Sequence, residues 1–237
     1  MGSLQPAHPP LRTCGTCFHR HRCPIGSSQD PLPLQEVTLA RGARLASPGT
    51  RHAFVQVVRV GALKSRIWTR HGSECILGFY EGGDVIGPSG PSLDADIDVV
   101  ALEASRVCQV SMDAAAGAFA VPSGRFLLDM LFEELDRARV LHIAVSRLPV
   151  RERLAKFLLE LRRRQRQRQR GLRDDVLTLR MSREDIGNHL GARLETISRE
   201  FSVLRRMKLI EIVGRRQIIL EVGGLAALAG EPRTEST

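Results

Sequence analysis

The stretch that most constrains the fold runs from Ser182 to Met207 and has the pattern of two short helices joined by a tight turn. Ser182, followed three residues later by Asp185, is typical of a capping box at a helix start. Gly191 is typical of a helix end, because glycine takes the left-handed conformation at little cost. The second helix repeats its apolar residues at steps of three and four. Its apolar face is Leu194, Ile197, Phe201 and Leu204, and its opposite face is Glu195, Ser198, Arg199 and Ser202.

A short polar face at the start of a helix suits entry into the major groove of DNA. There a carboxylate can accept a hydrogen bond from cytosine, and an arginine can donate two hydrogen bonds to guanine O6 and N7. An ordinary amphipathic hairpin with a solvated face would have the same spacing. The next segment favours DNA binding, since residues 209–213 and 217–220 have strand patterns on either side of the basic turn Gly214-Arg215-Arg216. The sequence therefore predicts a winged helix-turn-helix.

The segments DIGNHLG and LETISRE resemble the DNA-binding domain of the fumarate–nitrate reduction regulator (FNR) branch of the cyclic-AMP receptor protein (CRP) superfamily. The resemblance implies that Glu195, Ser198 and Arg199 contact the bases of a TTGAT half-site in double-stranded DNA. Arg193 stands where the family usually has a threonine N-cap, and losing such a cap typically costs about 0.5–2 kcal/mol. The candidate contacts to the DNA backbone are Ser182, Arg193, Arg215 and Arg216.

The charge of the chain fits a polyanionic partner, since its 237 residues carry a formal net charge of +9. The same charge would also suit RNA or anionic lipid. No apolar run approaches the length of a membrane span, and the first residues lack the basic start and apolar core of a signal peptide. We therefore expect a cytoplasmic protein without a membrane partner. We expect no enzymatic activity, because the spacing singles out no nucleophile–base pair and no paired carboxylates.

Five cysteines in such a chain favour metal or redox chemistry over structural disulfides. Cys14, Cys17 and Cys23 form a C-x2-C-x5-C arm, whose short loops let three thiolates converge on one soft metal centre. On the arm alone, an iron–sulfur cluster and a zinc site with His19 and His21 alongside both stay open. A redox C-x-x-C enzyme is disfavoured, because no βαβ pattern follows the arm.

A four-cysteine cluster needs one more thiolate, and the candidates are Cys75 and Cys108. Alternation around Cys75 is typical of an ordinary strand residue. The segment around Cys108 resembles the one that holds the last cluster ligand of the oxygen-sensing FNR branch, although a buried strand cysteine also packs as a small hydrophobe. The resemblance implies a 4Fe–4S cluster that senses oxygen and controls dimerisation and DNA binding. Its ligands would be Cys14, Cys17, Cys23 and Cys108.

Two other functions remain as alternatives to oxygen sensing. The first is a transcription regulator of the same fold with a structural zinc site and no oxygen response. The second is a thiol-redox enzyme with an incidental helix-turn-helix. Metal content separates the first alternative from a cluster, and turnover of a disulfide substrate tests the second.

Short apolar runs separated by glycines between Val37 and Ser111 predict an antiparallel β-roll. RVGALKSR and EGGDVIG resemble the jelly-roll sensor domain of the same superfamily, which often binds a cyclic nucleotide. The positions of the family's Glu, Arg and Ser nucleotide ligands fall here on Pro88, Asp98 and Val99. Asp94, Asp96 and Asp98 would repel a phosphate. We therefore expect no cyclic nucleotide.

Residues 123–146 predict a long helix with a coiled-coil-like seam. The seam is Leu128, Leu131, Leu135, Ala138, His142 and Val145. The helix could instead pack only on its own β-roll, but a protein that reads a palindrome needs two-fold symmetry, which favours a homodimer. Pro149 ends this helix, and residues 151–170 predict the first helix of the DNA-binding domain. Its basic end, residues 162–170, is typical of solvated surface.

The expected fold class is α+β: an N-terminal β-roll, a long dimerisation helix and a C-terminal winged helix-turn-helix. The expected segments are a cysteine-rich arm at 1–27, the β-roll at 28–120, the dimerisation helix at 121–147, the DNA-binding domain at 148–230 and a tail at 231–237. In activating relatives a surface loop of the β-roll touches RNA polymerase. The matching loop, residues 69–73, makes polymerase a candidate partner.

Overall fold

The computed structural model describes residues 14, 17–19, 23, 34–46, 54–87, 97–111, 123–168 and 175–230, with the backbone alone for 123–130. His21, Pro88, Asp94 and Asp96 lie outside the described residues. The chain forms two compact units, Met1–Glu134 and Leu135–Thr237. The segment boundaries expected at residues 27, 120, 147 and 230 stay predictions.

The first unit is a roll of two four-stranded antiparallel sheets, which confirms the predicted β-roll. Its described residues form β1 (Gln35–Leu39), β2 (Arg44–Ala46), β3 (Phe54–Val60), β4 (Ala62–Trp68), β5 (Glu74–Glu81), β6 (Val85–Ile86), β7 (Asp98–Ala101) and β8 (Ser105–Ser111). One sheet has the order β1-β8-β3-β6 and the other β2-β7-β4-β5. An apolar cluster draws on both sheets and forms the core of the roll, with Leu39, Val58, Ile86 and Val107 from one sheet and Leu63, Tyr80, Val99 and Ala101 from the other.

A tight turn at Gly61 joins β3 to β4 and illustrates why glycines separate these strands. Gly61 has a φ of 98°, and a Cβ built there would lie 2.8 Å from the carbonyl oxygen of Ala104. Both the left-handed backbone and the close approach exclude a side chain. The spacing of the glycines predicted this alternation of tight turns and apolar strands.

A long helix, α1 (Ser123–Arg147), follows the roll as predicted. The seam residues with described side chains are all exposed in the single chain, and they are Leu131, Leu135, Ala138, His142 and Val145. The side chain of Leu128 lies outside the described part. Phe132, Val140 and Ile143 on the same helix are exposed as well. An apolar surface of this kind is available for a partner helix, but the seam itself stays a prediction.

The second unit contains a three-helix core and a small sheet of order β10-β11-β9. Its elements are α2 (Val150–Arg168), β9 (Val176–Thr178), α3 (Arg183–Leu190), α4 (Leu194–Arg206), β10 (Ile210–Ile212), β11 (Gln217–Leu220) and α5 (Val222–Leu228). The side chains that fill its core are fully buried, among them Leu154, Leu158, Leu161, Ile186, Leu190, Ile197, Leu204, Ile218 and Leu225. The arrangement is the predicted winged helix-turn-helix.

Two details of this unit differ from the sequence prediction. Leu194 was assigned to the buried face, but it is 43% exposed. It is the first residue of α4, and helical side chains lean toward the N-terminus, so its side chain extends past the helix end. The basic end of α2 is not wholly solvated. Gln165 within it is 6% exposed, and its amide donates to the Thr178 carbonyl at 2.8 Å and accepts from the Thr178 N–H at 3.0 Å. These two bonds satisfy the backbone of β9.

Candidate metal centre and DNA-reading helix

Helix α3 has the predicted capping geometry at both of its ends. Ser182 Oγ accepts a hydrogen bond from the Asp185 N–H at 3.0 Å, and Asp185 Oδ2 accepts one from the Ser182 N–H at 2.9 Å. Gly191 ends the helix with a φ of 64°. Gly187, which the sequence reasoning missed, is also required, because a Cβ there would lie 2.6 Å from the Ala192 carbonyl oxygen. The turn is therefore tightly specified.

The polar face of α4 projects into solvent. Glu195, Ser198 and Arg199 are all exposed, so the structure places the three predicted base-reading residues on one accessible face. Arg193 is the N-cap, with φ −72° and ψ 151°, and its side chain makes no capping hydrogen bond. Its guanidinium is therefore not committed to the helix end. Base contact by this face stays a prediction.

The wing is formed by β10 and β11, which pair antiparallel from Ile210↔Leu220 to Ile212↔Ile218. The tip is closed by backbone hydrogen bonds from Val213 and Gly214 to the Gln217 carbonyl, at 3.1 and 3.3 Å. Arg215 and Arg216 at this tip are exposed. A basic tip beside a reading helix suits contact with the DNA backbone.

Arg183, at the start of α3, links the two helices in a way that the sequence did not signal. Its guanidinium lies over the Phe201 ring on the core face of α4. Burial lowers the pKa of the Arg183 guanidinium to about 10, so it remains charged at neutral pH. A cation over an aromatic ring is attracted by the negative face of the ring. Arginine at this position thus helps to hold α3 against α4.

Cys108 lies on β8, the strand between β1 and β3, where its pairing partners are Glu36 and Val57. The preceding residue, Val107, is fully buried in the core of the roll. Because successive side chains of a strand point to opposite faces, Cys108 lies on the outer face of this sheet. Cys75 lies on β5 in the other sheet, opposite Ile67. Its position is that of an ordinary strand residue, as predicted.

The thiols of the arm lie in the electrostatic neighbourhood of Cys108. Burial, followed by Cys23, Glu36 and Cys14, raises the pKa of the Cys108 thiol to about 12, and Arg59 acts in the opposite direction. Arg59 also interacts with Cys17 and forms an ion pair with Glu36. Cys14 and Cys17 share a turn, in which the Cys17 N–H donates to the Cys14 carbonyl at 3.2 Å. The arm thiols thus interact electrostatically with Cys108 or with Arg59, which pairs with Glu36, a strand partner of Cys108.

The comparisons with known proteins agree with this architecture. Residues 152–228 match the Crp-like helix-turn-helix domain. The chain is 32% identical to the transcriptional regulatory protein btr of Bordetella pertussis, over 95% of this chain and 97% of that protein. It is 30% identical to the fumarate and nitrate reduction regulatory protein of Salmonella typhimurium, over 94% and 95% of the two chains.

A solved structure, FixK2 from Bradyrhizobium japonicum, matches with a TM-score of 0.73 at 28% identity, over 86% of this chain and all of that one. The chain belongs to the CRP/FNR superfamily, in its FNR branch. Members of this family regulate transcription, bind DNA, are generally dimeric and are not enzymes. Among the described residues, no helix is both long and apolar enough to span a bilayer.

The β-roll of this chain has an ion network around Asp98, the position where the sequence resemblance implies the arginine ligand of nucleotide-binding relatives. Asp98, on β7, is 1% exposed. Its carboxylate pairs with Arg66 at 3.3 Å and with Arg44 at 3.5 Å. Arg66 also pairs with Glu74 at 2.7 Å, and Glu74 pairs with Lys64 at 2.9 Å. These cations are engaged by carboxylates of the roll, while the absence of a nucleotide ligand stays a prediction.

The thiols of Cys14, Cys17, Cys23 and Cys108 are suitable ligands for an iron–sulfur cluster or for a thiophilic metal ion such as zinc. All four cysteines are free thiols. A half-buried thiol that is influenced by two other thiols and a carboxylate holds its proton unless a cation compensates the charge, which iron or zinc would do. Among the described residues, no group of three or more Cys, His, Asp or Glu side chains is close enough to hold a metal ion. The thiols are therefore neighbours without forming a ligand cage.

Proposed function

We propose that this FNR-branch regulator is a cytoplasmic homodimer that controls the response to loss of oxygen. In this proposal a 4Fe–4S cluster on Cys14, Cys17, Cys23 and Cys108 senses oxygen, and the intact form favours the dimer and its binding to a TTGAT-type palindrome. The regulators that match the chain include the fumarate and nitrate reduction regulatory protein of Salmonella typhimurium. A cytoplasmic location follows from its DNA target.

The observation that supports the proposal is the electrostatic influence of two arm thiols, those of Cys23 and Cys14, on the Cys108 thiol. Cys23 is 7% exposed. Cys14 and Cys23 both act on the Cys108 thiol. Thiolates are the ligands that iron–sulfur clusters use, and such a cluster supplies a centre that oxygen can oxidise. The residues of this chain supply the anchoring thiols and a strand that fixes one of them.

Dimer control draws on the exposed apolar seam of α1. Leu131 is 57% and Leu135 is 43% exposed in the single chain. Removing such side chains from water stabilises an association by roughly 25 cal/mol per Å² of apolar surface. Glu133, Glu134 and Asp136 are exposed on the same helix, and Asp136 pairs with Arg139 of the same chain at 3.2 Å.

The test is an anaerobic preparation of the full chain, with its absorption spectrum and iron and sulfide content. Single replacements of Cys14, Cys17, Cys23 or Cys108 by serine are expected to abolish the cluster, because a hydroxyl is a poor substitute for a thiolate. Cys75→Ser is the matched control and is expected to keep it. Zinc in place of iron would establish the structural-zinc alternative. Loss of iron in Cys75→Ser with retention in Cys108→Ser would refute the ligand set.

Oxygen-controlled assembly has its own measurement. Sedimentation of the anaerobic protein is expected to give a dimer, and admission of air is expected to shift it toward monomer. One unchanged species under both conditions would remove assembly from the proposal.

RNA polymerase enters the proposal as a further partner, through the loop between β4 and β5. Thr69 and Ser73 close this loop, since the Thr69 N–H donates to the Ser73 carbonyl at 2.9 Å. Arg70 and His71 at its tip are exposed. Transcription in vitro with Arg70→Glu tests this contact, and an unchanged transcript level at saturating promoter occupancy would exclude it.

A further inference from the structure

The imidazole of His19 lies on a pair of glycines in the turn between β5 and β6. A Cβ built on Gly82 would lie 2.8 Å from His19 Nε2, and one built on Gly83 would lie 3.1 Å from Nδ1. Real Cβ atoms essentially never come within 3.0 Å of another heavy atom. The imidazole therefore occupies the space that side chains at these two positions would need. We call Gly82 and Gly83 the glycine seat.

The two glycines differ in what requires them. Gly83 has a φ of 94°, so its backbone conformation by itself favours glycine. Gly82 is not among the glycines of positive φ, and an alanine there would meet no backbone atom closer than the Arg59 carbonyl oxygen at 3.5 Å. That is an ordinary van der Waals contact. The close approach that disfavours a side chain at Gly82 is thus the approach of His19.

The glycine seat is held rigidly against β3. The Gly83 N–H donates to the Val58 carbonyl at 2.8 Å, and the Val58 N–H donates to the Asp84 carbonyl at 2.9 Å. The Asp84 carboxylate in turn accepts from the Glu81 N–H at 2.7 Å. A turn with these bonds offers a fixed surface instead of a mobile loop.

Strand β3, which holds the glycine seat, also pairs with β8, the strand that carries Cys108. Val57, the residue before Val58, pairs with Cys108 across the sheet. Arg59, the residue after Val58, forms an ion pair with Glu36, the other strand partner of Cys108. The glycine seat and Cys108 are therefore positioned by three consecutive residues of β3.

Seating His19 restricts where the arm thiols can lie. Cys17 is two residues before His19, and Cys23 is four residues after it. An extended chain spans at most about 3.3–3.6 Å per residue, so the Cα atoms of Cys17 and Cys23 stay within about 7 and 14 Å of the His19 Cα. Both imidazole nitrogens lie close to the glycine positions, so the ring faces the turn.

We propose that His19 is a positioning residue that docks the cysteine arm on the glycine seat and so holds the arm thiols beside Cys108. The purpose of this docking, assembly of a cluster, rests on the proposed function. The docking itself is a property of the protein without metal. Two measurements can therefore test the docking and the proposed function separately.

The first measurement is thiol cross-linking in the metal-free full chain, in a background that retains Cys23 and Cys108 as its two cysteines. A short bifunctional thiol reagent that fluoresces only after both ends react reports their proximity. His19→Ala is expected to lower the cross-linking rate by about fivefold or more, since a docked segment has a high effective concentration that an undocked one loses. Gly82→Ala is expected to have a similar effect. The double variant is expected to match either single variant, because both remove one contact.

The chain offers a matched control for each change. His71→Ala removes an exposed histidine from the turn between β4 and β5. Gly87→Ala adds a methyl group where nothing lies within 4 Å. Both are expected to cross-link at the rate of the parent protein. Rates in His19→Ala and Gly82→Ala equal to these controls, or additive effects in the double variant, would overturn the docking.

The second measurement is anaerobic cluster assembly in the chain with all its cysteines, followed by iron content and the absorption spectrum. Slower assembly in His19→Ala, together with slower cross-linking, supports the whole inference. Parent protein that cross-links as expected but binds no cluster would refute the proposed function and leave the docking in place. Parent protein that holds a cluster while His19→Ala cross-links and assembles normally would refute the docking alone.

Discussion

Replacing Arg153 by methionine is expected to loosen the DNA-binding unit without touching its DNA-reading face. Arg153 Nε donates to the Leu148 carbonyl at 2.7 Å, and Nη1 donates to the Leu190 carbonyl at 2.8 Å. Leu148 lies between α1 and α2, and Leu190 is the last residue of α3. The last carbonyls of a helix have no helical partner, and a cation there is favourable. One side chain thus ties the interhelix linker to the end of α3.

The magnitude follows from these two bonds. A hydrogen bond that involves a charged group contributes about 1.5–3 kcal/mol. Arg153 is partly exposed, so water replaces part of what is lost, and we expect Arg153→Met to cost about 2–3 kcal/mol in total. Arg153→Lys can reach one carbonyl and is expected to cost about half as much. The matched control is Arg163→Met on the same helix. Arg163 pairs with Glu160 at the surface, a contact that contributes at most about 1 kcal/mol.

The assay is urea unfolding of the full chain followed by two probes. The single tryptophan, Trp68, belongs to β4, so its fluorescence reports on the β-roll, while far-UV circular dichroism is dominated by the helices. With an m-value of about 1–2 kcal/mol per M urea, the dichroism midpoint is expected to fall by about 1–3 M. The fluorescence midpoint should stay in place. Equal midpoints in Arg153→Met and Arg163→Met would refute the assigned role of Arg153.

Two further substitutions test contacts that the structure assigns. Gln165→Leu is expected to cost about 1–3 kcal/mol, because the Thr178 N–H and carbonyl both lose the partner that Gln165 supplies. Gln167→Leu, at an exposed position of the same helix, is expected to cost less; dichroism-detected unfolding compares the two, and equal stability would contradict the role of Gln165. Asp98→Asn is expected to destabilise the β-roll by about 2–3 kcal/mol. This cost is below that of breaking an isolated buried ion pair, because Arg66 still pairs with Glu74 in the variant. The urea midpoint of Trp68 fluorescence measures the change, and an unchanged midpoint would contradict a stabilising network.

The helix-turn-helix was predictable from sequence because its signals are local. A capping box needs Ser182 and Asp185 three residues apart, and a left-handed helix end needs Gly191. Both were found where the sequence placed them. The core face of α4 was predictable from its period, apart from Leu194 at the helix end. The apolar period describes the interior of a helix. The side chain of the first residue leans past the helix end, where there is no preceding helical turn for it to pack on.

The contacts that the sequence did not predict join residues of different secondary-structure elements or of the linkers between them. Arg183 over Phe201, Arg153 on two carbonyls and Gln165 on β9 each depend on where a second element packs. Charged and amide side chains in a basic run have the same pattern whether they meet solvent or backbone, so composition alone assigns them to the surface. The seat of His19 belongs to the same class. A Gly-Gly pair in a turn signals backbone freedom and does not indicate that a distant histidine will lie there.

The sharpest remaining prediction concerns how the exposed face of α4 and the wing divide their work on DNA. Arg199 is exposed on the reading face, and Arg216 is exposed at the wing tip. A bidentate arginine–guanine contact contributes about 1–3 kcal/mol of base discrimination, whereas a phosphate contact changes affinity and its salt slope. Arg199→Ala should therefore weaken binding to a TTGAT palindrome and flatten preference at the guanine. Arg216→Ala should weaken all sequences about equally and reduce the dependence on salt. Binding of anaerobic protein to single-base variants at two salt concentrations measures both, and an undiminished guanine preference in Arg199→Ala would exclude Arg199 as the reading residue.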